Sequence, residues 1–192
     1  MSSDLLHWSQ MLSRQSEIAI QAAAELGIPL GIISIAPPEA TDAPSAIGKL
    51  PSSESGIMYR GRATEELADQ APRTPWTEFT ECLHEDLRAR RRLHIDPLGN
   101  VHVCQGISLG SIFRKPLSDI VWTYDDSASA ETHPIASPLI SGGPKALIEQ
   151  YELDHEDSYA DTCHLCYAAR LALRDRFPQI LKPDQMCGVA SG

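Results

Sequence analysis

Apolar positions along the chain fall into a few segments of clear period, separated by stretches rich in Pro, Ser and Gly. Leu5, Trp8, Leu12, Ala19, Ala22, Ala23 and Leu26 recur at helical spacing, flanked by Ile18 and Ile20, which predicts an amphipathic helix over 5–26. Gly27 is placed to end it. Residues 28–36, Ile-Pro-Leu-Gly-Ile-Ile-Ser-Ile-Ala, are apolar without alternation, the pattern of a strand buried on both faces. A helix followed shortly by such a strand is the αβ half of a parallel βαβ unit. One strand makes no sheet, so its neighbours are expected to be missing from the chain or supplied by a partner.

Residues 37–56 shift to Pro, Ala, Ser and Thr and read as a loop. A short helix is expected over 64–70, with Thr64 as N-cap and Leu67 on its buried side. After Pro72 and Pro75, the helical spacing of Trp76, Phe79, Leu83 and Leu87 predicts another, with Arg88, Arg90, Arg91 and Arg92 at its solvated C-terminal end. The clearest local pattern spans 93–104. Two runs of period 2 flank Pro97-Leu98-Gly99-Asn100 and predict a hairpin. Leu93, Ile95, Val101 and Val103 then share one face, and His94, Asp96, His102 and Cys104 the other. Short helices are expected over 116–123 and 144–151, the latter entered through a turn at Ser141-Gly142-Gly143-Pro144. Residues 125–138 read as an irregular surface loop. A last helix opens at Cys163, with Cys166, Ala169, Leu173 and Phe177 as its apolar stripe and Pro178 near its boundary. The expected class is α+β.

Composition narrows the function. The 192 residues are 42% hydrophobic and 22% charged, enough for one ordinary domain or a small one plus part of another. With 16 basic against 26 acidic residues the net charge is −10, which argues against a general nucleic-acid or anionic-membrane binder. No apolar run approaches the roughly 18 residues that span a bilayer, and the start lacks the basic and apolar regions of a signal peptide. The expected location is cytoplasmic. Five cysteines, an odd number, suit reduced thiols or metal ligands better than a disulfide framework.

Cys163-x2-Cys166 is the chemical anchor. Two thiolates three apart at a helix start can reach one ion or cluster, and the helix N-terminus favours their charge. A lone CxxC begins redox dithiols, zinc sites and iron–sulfur sites alike. Cys104, ending the hairpin, and Cys82 are the candidates to complete it, giving Cys82-x16-Gly99-x4-Cys104, a gap, then Cys163-x2-Cys166. Cys187 has no partner in this pattern. His94, His102 and His164 can extend a mixed-ligand site but read more simply as surface or hydrogen-bonding histidines. Arg60 and Arg62 read as part of a solvated linker.

This arrangement resembles the auxiliary-cluster region of radical S-adenosylmethionine (radical SAM) proteins, the SPASM domain and its shorter twitch version. Those run Cys-x(9–15)-Gly-x4-Cys and, after a gap, Cys-x2-Cys. The hairpin from His94 to Cys104, the following Ile107-Ser108-Leu109-Gly110-Ser111-Ile112 and the helix start Cys163-His164-Leu165-Cys166-Tyr167 each resemble the family's text. The resemblance implies an incomplete radical-SAM-type barrel edge and linker over 1–72 and a twitch-like module over 76–190. It also implies an auxiliary [4Fe–4S] cluster on Cys82, Cys104, Cys163 and Cys166. The first spacer, at 16, is one longer than the family pattern, and Ala172 stands where a fuller SPASM domain continues with cysteine. The Cys-x3-Cys-x2-Cys motif that binds the catalytic cluster is absent from the 192 residues. The chain is therefore expected to work with a partner or segment carrying the barrel core, on a peptide or small-molecule substrate, and not to cleave S-adenosylmethionine alone. The alternative from residues alone is a zinc-stabilised four-cysteine structural or interaction module, since four thiolates suit tetrahedral zinc equally.

Overall fold

The computed structural model describes residues 10–31, 35, 38, 56–88, 92–125 and 132–182. Outside them lie residues 5–9 of the first expected helix, most of 32–36, nearly all of the 37–56 loop, Arg90 and Arg91, residues 126–131, and Cys187. The chain divides into two compact units, 1–58 with 70–72, and 59–69 with 73–192. Among the described residues the architecture is mixed α+β, with five α-helices, small antiparallel sheets and no closed barrel.

In the first unit, α1 (Gln10–Glu25) forms where the periodicity placed it. Gly27, at φ +64°, stops it as expected. Its N–H reaches Ala24 O at 3.2 Å and the Ile28 N–H reaches Ala23 O at 2.9 Å, the paired closing bonds that a left-handed residue permits. The expected doubly buried strand is not seen over 28–31. Those residues carry no strand pairing, and Ile28 and Leu30 are 56% and 42% exposed. An apolar run forms a buried strand only when neighbours supply its ladder.

The second unit opens with α2 (Arg62–Leu67). Its N-cap is Gly61 at φ +59° and Thr64 lies inside the helix, so the expected capping by Thr64 is corrected. Leu67 is half-buried and Ala68 is the buried contact. Two-residue strands β1 (Thr74–Pro75) and β5 (Ser158–Tyr159) pair antiparallel. The expected helix over 76–87 is absent: one 3-10 turn at Trp76–Glu78 gives way to irregular backbone, and Leu83 is 66% exposed. The reason lies in partners from distant elements. Phe79 O accepts the Lys145 N–H (3.1 Å), Glu81 O the Thr162 hydroxyl (3.0 Å) and Leu87 O the Tyr124 hydroxyl (2.9 Å). These tertiary bonds replace the i→i−4 ladder. Arg92 is correspondingly no solvated helix end; its Nη2 lies 2.8 Å from the buried Glu85 carboxylate.

The hairpin expectation holds and extends. β2 (His94–Ile95) pairs β3 (Asn100–Cys104) with His94 opposite His102, and β3 pairs a third strand, β4 (Ile107–Ser111). Asp96 builds the first turn: its Oδ1 accepts the N–H groups of Leu98 (2.8 Å) and Asn100 (2.9 Å), and its Oδ2 meets Asn100 Nδ2 (2.8 Å) and His102 Nε2 (3.0 Å). β3 is buried along its whole length, so the face of His102 and Cys104 is covered as fully as that of Val101 and Val103.

α3 (Leu117–Asp125) follows, then α4 (Ala136–Tyr151). The end of the expected 125–138 surface loop is instead core: Ile135 and Ala136 are fully buried, and Leu139 just beyond it is nearly so. Gly142 and Gly143 break α4 into two helical stretches, Gly143 at φ +65°. α5 (Thr162–Ala172) is capped by Asp161 and buries Leu165, Ala169 and Leu173 against Val103, Ile107, Leu147 and Leu181 in one core.

A Cβ on Gly143 would stand 2.3 Å from Glu81 N and 2.5 Å from Thr80 C, both backbone atoms. Gly143→Ala is therefore expected to destabilise the unit by about 2–4 kcal/mol through overpacking and left-handed strain. Urea unfolding measures this; an unchanged midpoint would mean that the 79–88 segment does not rest on the α4 break.

Candidate metal centre

The core packing brings three separate stretches to the N-terminus of α5. Cys82 lies half-buried on the irregular 79–88 segment, Cys104 is buried at the end of β3, and Cys163 and Cys166 are half-buried in the opening turns of α5. Arg170 joins two of these stretches. Its Nη1 donates to Gln105 O (2.7 Å), next to Cys104, and its Nε donates to Cys166 O (3.2 Å). The bond from the Thr162 hydroxyl to Glu81 O fixes the third, placing the 79–88 segment beside Cys163.

Electrostatics records the convergence. Burial pushes the Cys166 thiol up to about 12, Cys104 and Cys82 push it the same way, and the Arg170 guanidinium, which also hydrogen-bonds it, pulls it down. Burial likewise raises Cys163, helped by Asp161, Cys166 and Cys104, with Arg60 opposing. Cys104 is raised by burial and by Cys82, against Arg170 and Arg60. The four thiols thus feel one another within a single neighbourhood flanked by two guanidinium groups. Arg60, expected in a solvated linker, is half-buried beside them.

Two residues that the sequence reading missed belong here. Asp161 caps α5: its Oδ1 accepts the His164 N–H at 2.6 Å and its Oδ2 the Tyr59 N–H at 3.2 Å. His84 comes from the 79–88 segment. His84, Asp161 and Cys163 each offer a donor atom within 4.8 Å of the other two, the one such set of three among the described residues; no three of the four thiols approach so closely. Asp161 carried a legible signal, an acidic residue directly before a helix. His84 carried none, because its position depends on a segment that the apolar spacing misread as helical.

The three histidines expected as possible ligands are committed elsewhere. His94 Nε2 meets Glu85 (3.0 Å), His102 Nε2 meets Asp96 (3.0 Å), and His164 Nδ1 accepts the Ala160 N–H (3.2 Å) beside the Tyr159 ring. A groove of about 380 Å³ runs along Cys82, His84 and Glu85 against Leu139 and Ile140. A larger cavity of about 720 Å³, lined by Leu109, Ile120, Tyr124 and Lys182 among others, contains none of the candidate ligands. Among the described residues no helix is long and apolar enough to cross a membrane. Searches against protein-family models, curated proteins and solved structures each find no match.

Because folding raises these thiols, the unfolded chain ionises them first as pH climbs. Above about pH 8.5, the ordinary thiol value, the unfolded state binds fewer protons than the fold, so stability of the metal-free chain falls as pH rises further. At pH 8, iodoacetamide is expected to alkylate Cys163 and Cys166 at least ~100-fold more slowly in the folded metal-free chain than in urea. Peptide mass spectrometry reads the rates, and equal rates would remove both thiols from a buried cluster.

Proposed function

We propose that this chain is the cluster-binding C-terminal portion of a radical SAM enzyme, holding an auxiliary [4Fe–4S] cluster on Cys82, Cys104, Cys163 and Cys166. The observation that carries the reading is the convergence of those thiols, from a loop, a strand end and a helix start, on one partly buried spot. Their donor chemistry fits the group. Four thiolates around a cubane bring net negative charge, and Arg60 and Arg170 lie where they can offset it.

When bound, such a cluster supplies electron transfer, since full thiolate ligation leaves no open iron. The chain's own residues do the rest. Arg170 holds the Cys104 and Cys166 stretches in register, Asp161 orients the first turn of α5, and Leu165, Leu147 and Ile107 keep the inner side apolar. The twitch-like hairpin-then-helix order, a cytoplasmic setting that keeps thiols reduced, a partner carrying the barrel core and a peptide or small-molecule substrate all belong to this proposal.

Anaerobic reconstitution with iron and sulfide is the test. About four irons per chain and a brown chromophore are expected, lost in Cys163→Ser and Cys166→Ser. A colourless protein holding one tightly bound zinc on the same four cysteines would instead make it a structural module. The reconstituted, reduced chain alone is expected to yield no 5′-deoxyadenosine from S-adenosylmethionine, because no three of its cysteines are closely spaced in one loop. Robust formation of that product by the chain alone would overturn the auxiliary role.

A further inference from the structure

Among the described residues, the closest set of three metal-type donors is not drawn from the four cysteines. We propose that His84, Asp161 and Cys163 form a second site, for a single divalent transition-metal ion such as Zn²⁺. The inference does not rest on the iron–sulfur reading, although the two sites share Cys163.

The donor atoms lie within 4.8 Å of one another. A nitrogen, an oxygen and a sulfur at about 2.0–2.3 Å from one zinc stand roughly 3.3–3.8 Å apart, so shifts of about 1 Å or less close the site. The mix selects the ion class: imidazole and thiolate favour zinc and its transition-metal neighbours, whereas magnesium and calcium prefer all-oxygen sets.

The site is braced from behind. Two of the three donors belong to the same short stretch, Asp161 as the cap and Cys163 in the first turn of α5. The N–H groups of His164 and Tyr59 hold the carboxylate in place, leaving it lone pairs for a metal. The third donor is brought across by the Thr162–Glu81 bond, three residues before His84, and by the seat of the 79–88 segment on Gly143. Charge is in order as well. Asp161 and thiolate Cys163 contribute −2 against the ion's +2, with Arg60 nearby and Glu85 already paired with Arg92. All three donors are half-buried, so the set keeps contact with solvent, and three protein ligands leave a fourth coordination position for water or a small ligand. Cys163 cannot serve this ion and an iron–sulfur cluster together, so occupancy of one site excludes the other.

The full chain, made metal-free by chelation under anaerobic reducing conditions, is titrated with Co²⁺ as an optical probe and with Zn²⁺ in competition. One ion per chain is expected, with thiolate-to-cobalt absorption of the intensity given by one thiolate. His84→Ala and Asp161→Asn should each weaken Zn²⁺ at least ~100-fold. The asparagine keeps the cap on α5 through its single oxygen but gives up the Tyr59 bond, so unchanged far-ultraviolet circular dichroism of both variants is required before the loss is assigned to the site. Cys82→Ser and Cys104→Ser should change Zn²⁺ affinity less than ~3-fold. A four-thiolate cobalt spectrum would overturn the site, as would Zn²⁺ binding that follows Cys82 and Cys104 and ignores His84. Iron reconstitution of His84→Ala separates the two readings. A brown cluster there upholds the four-cysteine proposal whatever Zn²⁺ does. Failure of every variant, wild type included, to take up iron removes the cluster while the Zn²⁺ titration still decides the mixed site.

Discussion

Everything at the candidate centre depends on how a segment without regular structure, 79–88, satisfies its backbone. Its carbonyls cannot stay unpaired where they are buried. They find donors on the break in α4, the first residue of α5 and the tyrosine of α3. Each of those bonds also sets a position. The bond to Lys145 requires a helix broken at Gly142–Gly143 with a proline after it, which leaves the Lys145 N–H free to turn outward. The bond to Thr162 sets the segment against the CxxC turn. Segment, helix break and helix start are thus mutually defined, and Cys82 and His84 are delivered as a result.

The same junction concentrates groups that resist burial. Burial pushes the Asp161 carboxyl above its ordinary range despite the N–H groups of His164, Tyr59 and Cys163. Burial also lowers His84, with Arg60 acting alike and Asp161 and Glu85 opposing. Three thiols are held protonated for the same first reason. A fold that only needed stability would fill this place with Leu or Val, as it does at Leu165 and Val103 nearby. Buried polar donors gathered at a helix start are the groups that the proposed metal sites would use.

What could be read from the sequence was whatever local chemistry decides. Gly27 ends α1 because a left-handed residue closes the helix whatever surrounds it. Asp96 and Gly99 make the hairpin turn from within their own few residues. The stripe on α5 was legible because one face of that helix meets one core. The misreadings have a common cause in distant partners. Trp76, Phe79, Leu83 and Leu87 keep helical spacing, yet remote donors outbid the helix's own. The end of the expected 125–138 loop enters a helix from Ala136 because Ile135, Ala136 and the following Leu139 fill the core beside α5. At the centre, spacing alone set the four-cysteine expectation and Asp161 carried an unread signal in its place before a helix; His84 was invisible because only tertiary structure brings it there.

The Thr162–Glu81 bond joins residues 81 apart in sequence, the same separation as Cys82 and Cys163. In polymer terms it shuts a ring around the β-meander, α3 and α4. Closing a ring of that size in a free chain costs about 4.5 kcal/mol of entropy, whereas one hydrogen bond contributes about 1. Packing must hold the ring shut unless a stronger tie lies at the same junction. A metal centre spanning Cys82 or His84 and Cys163 would be that tie, acting on the intervening elements as a disulfide would, yet removable by acid, chelator or oxidant.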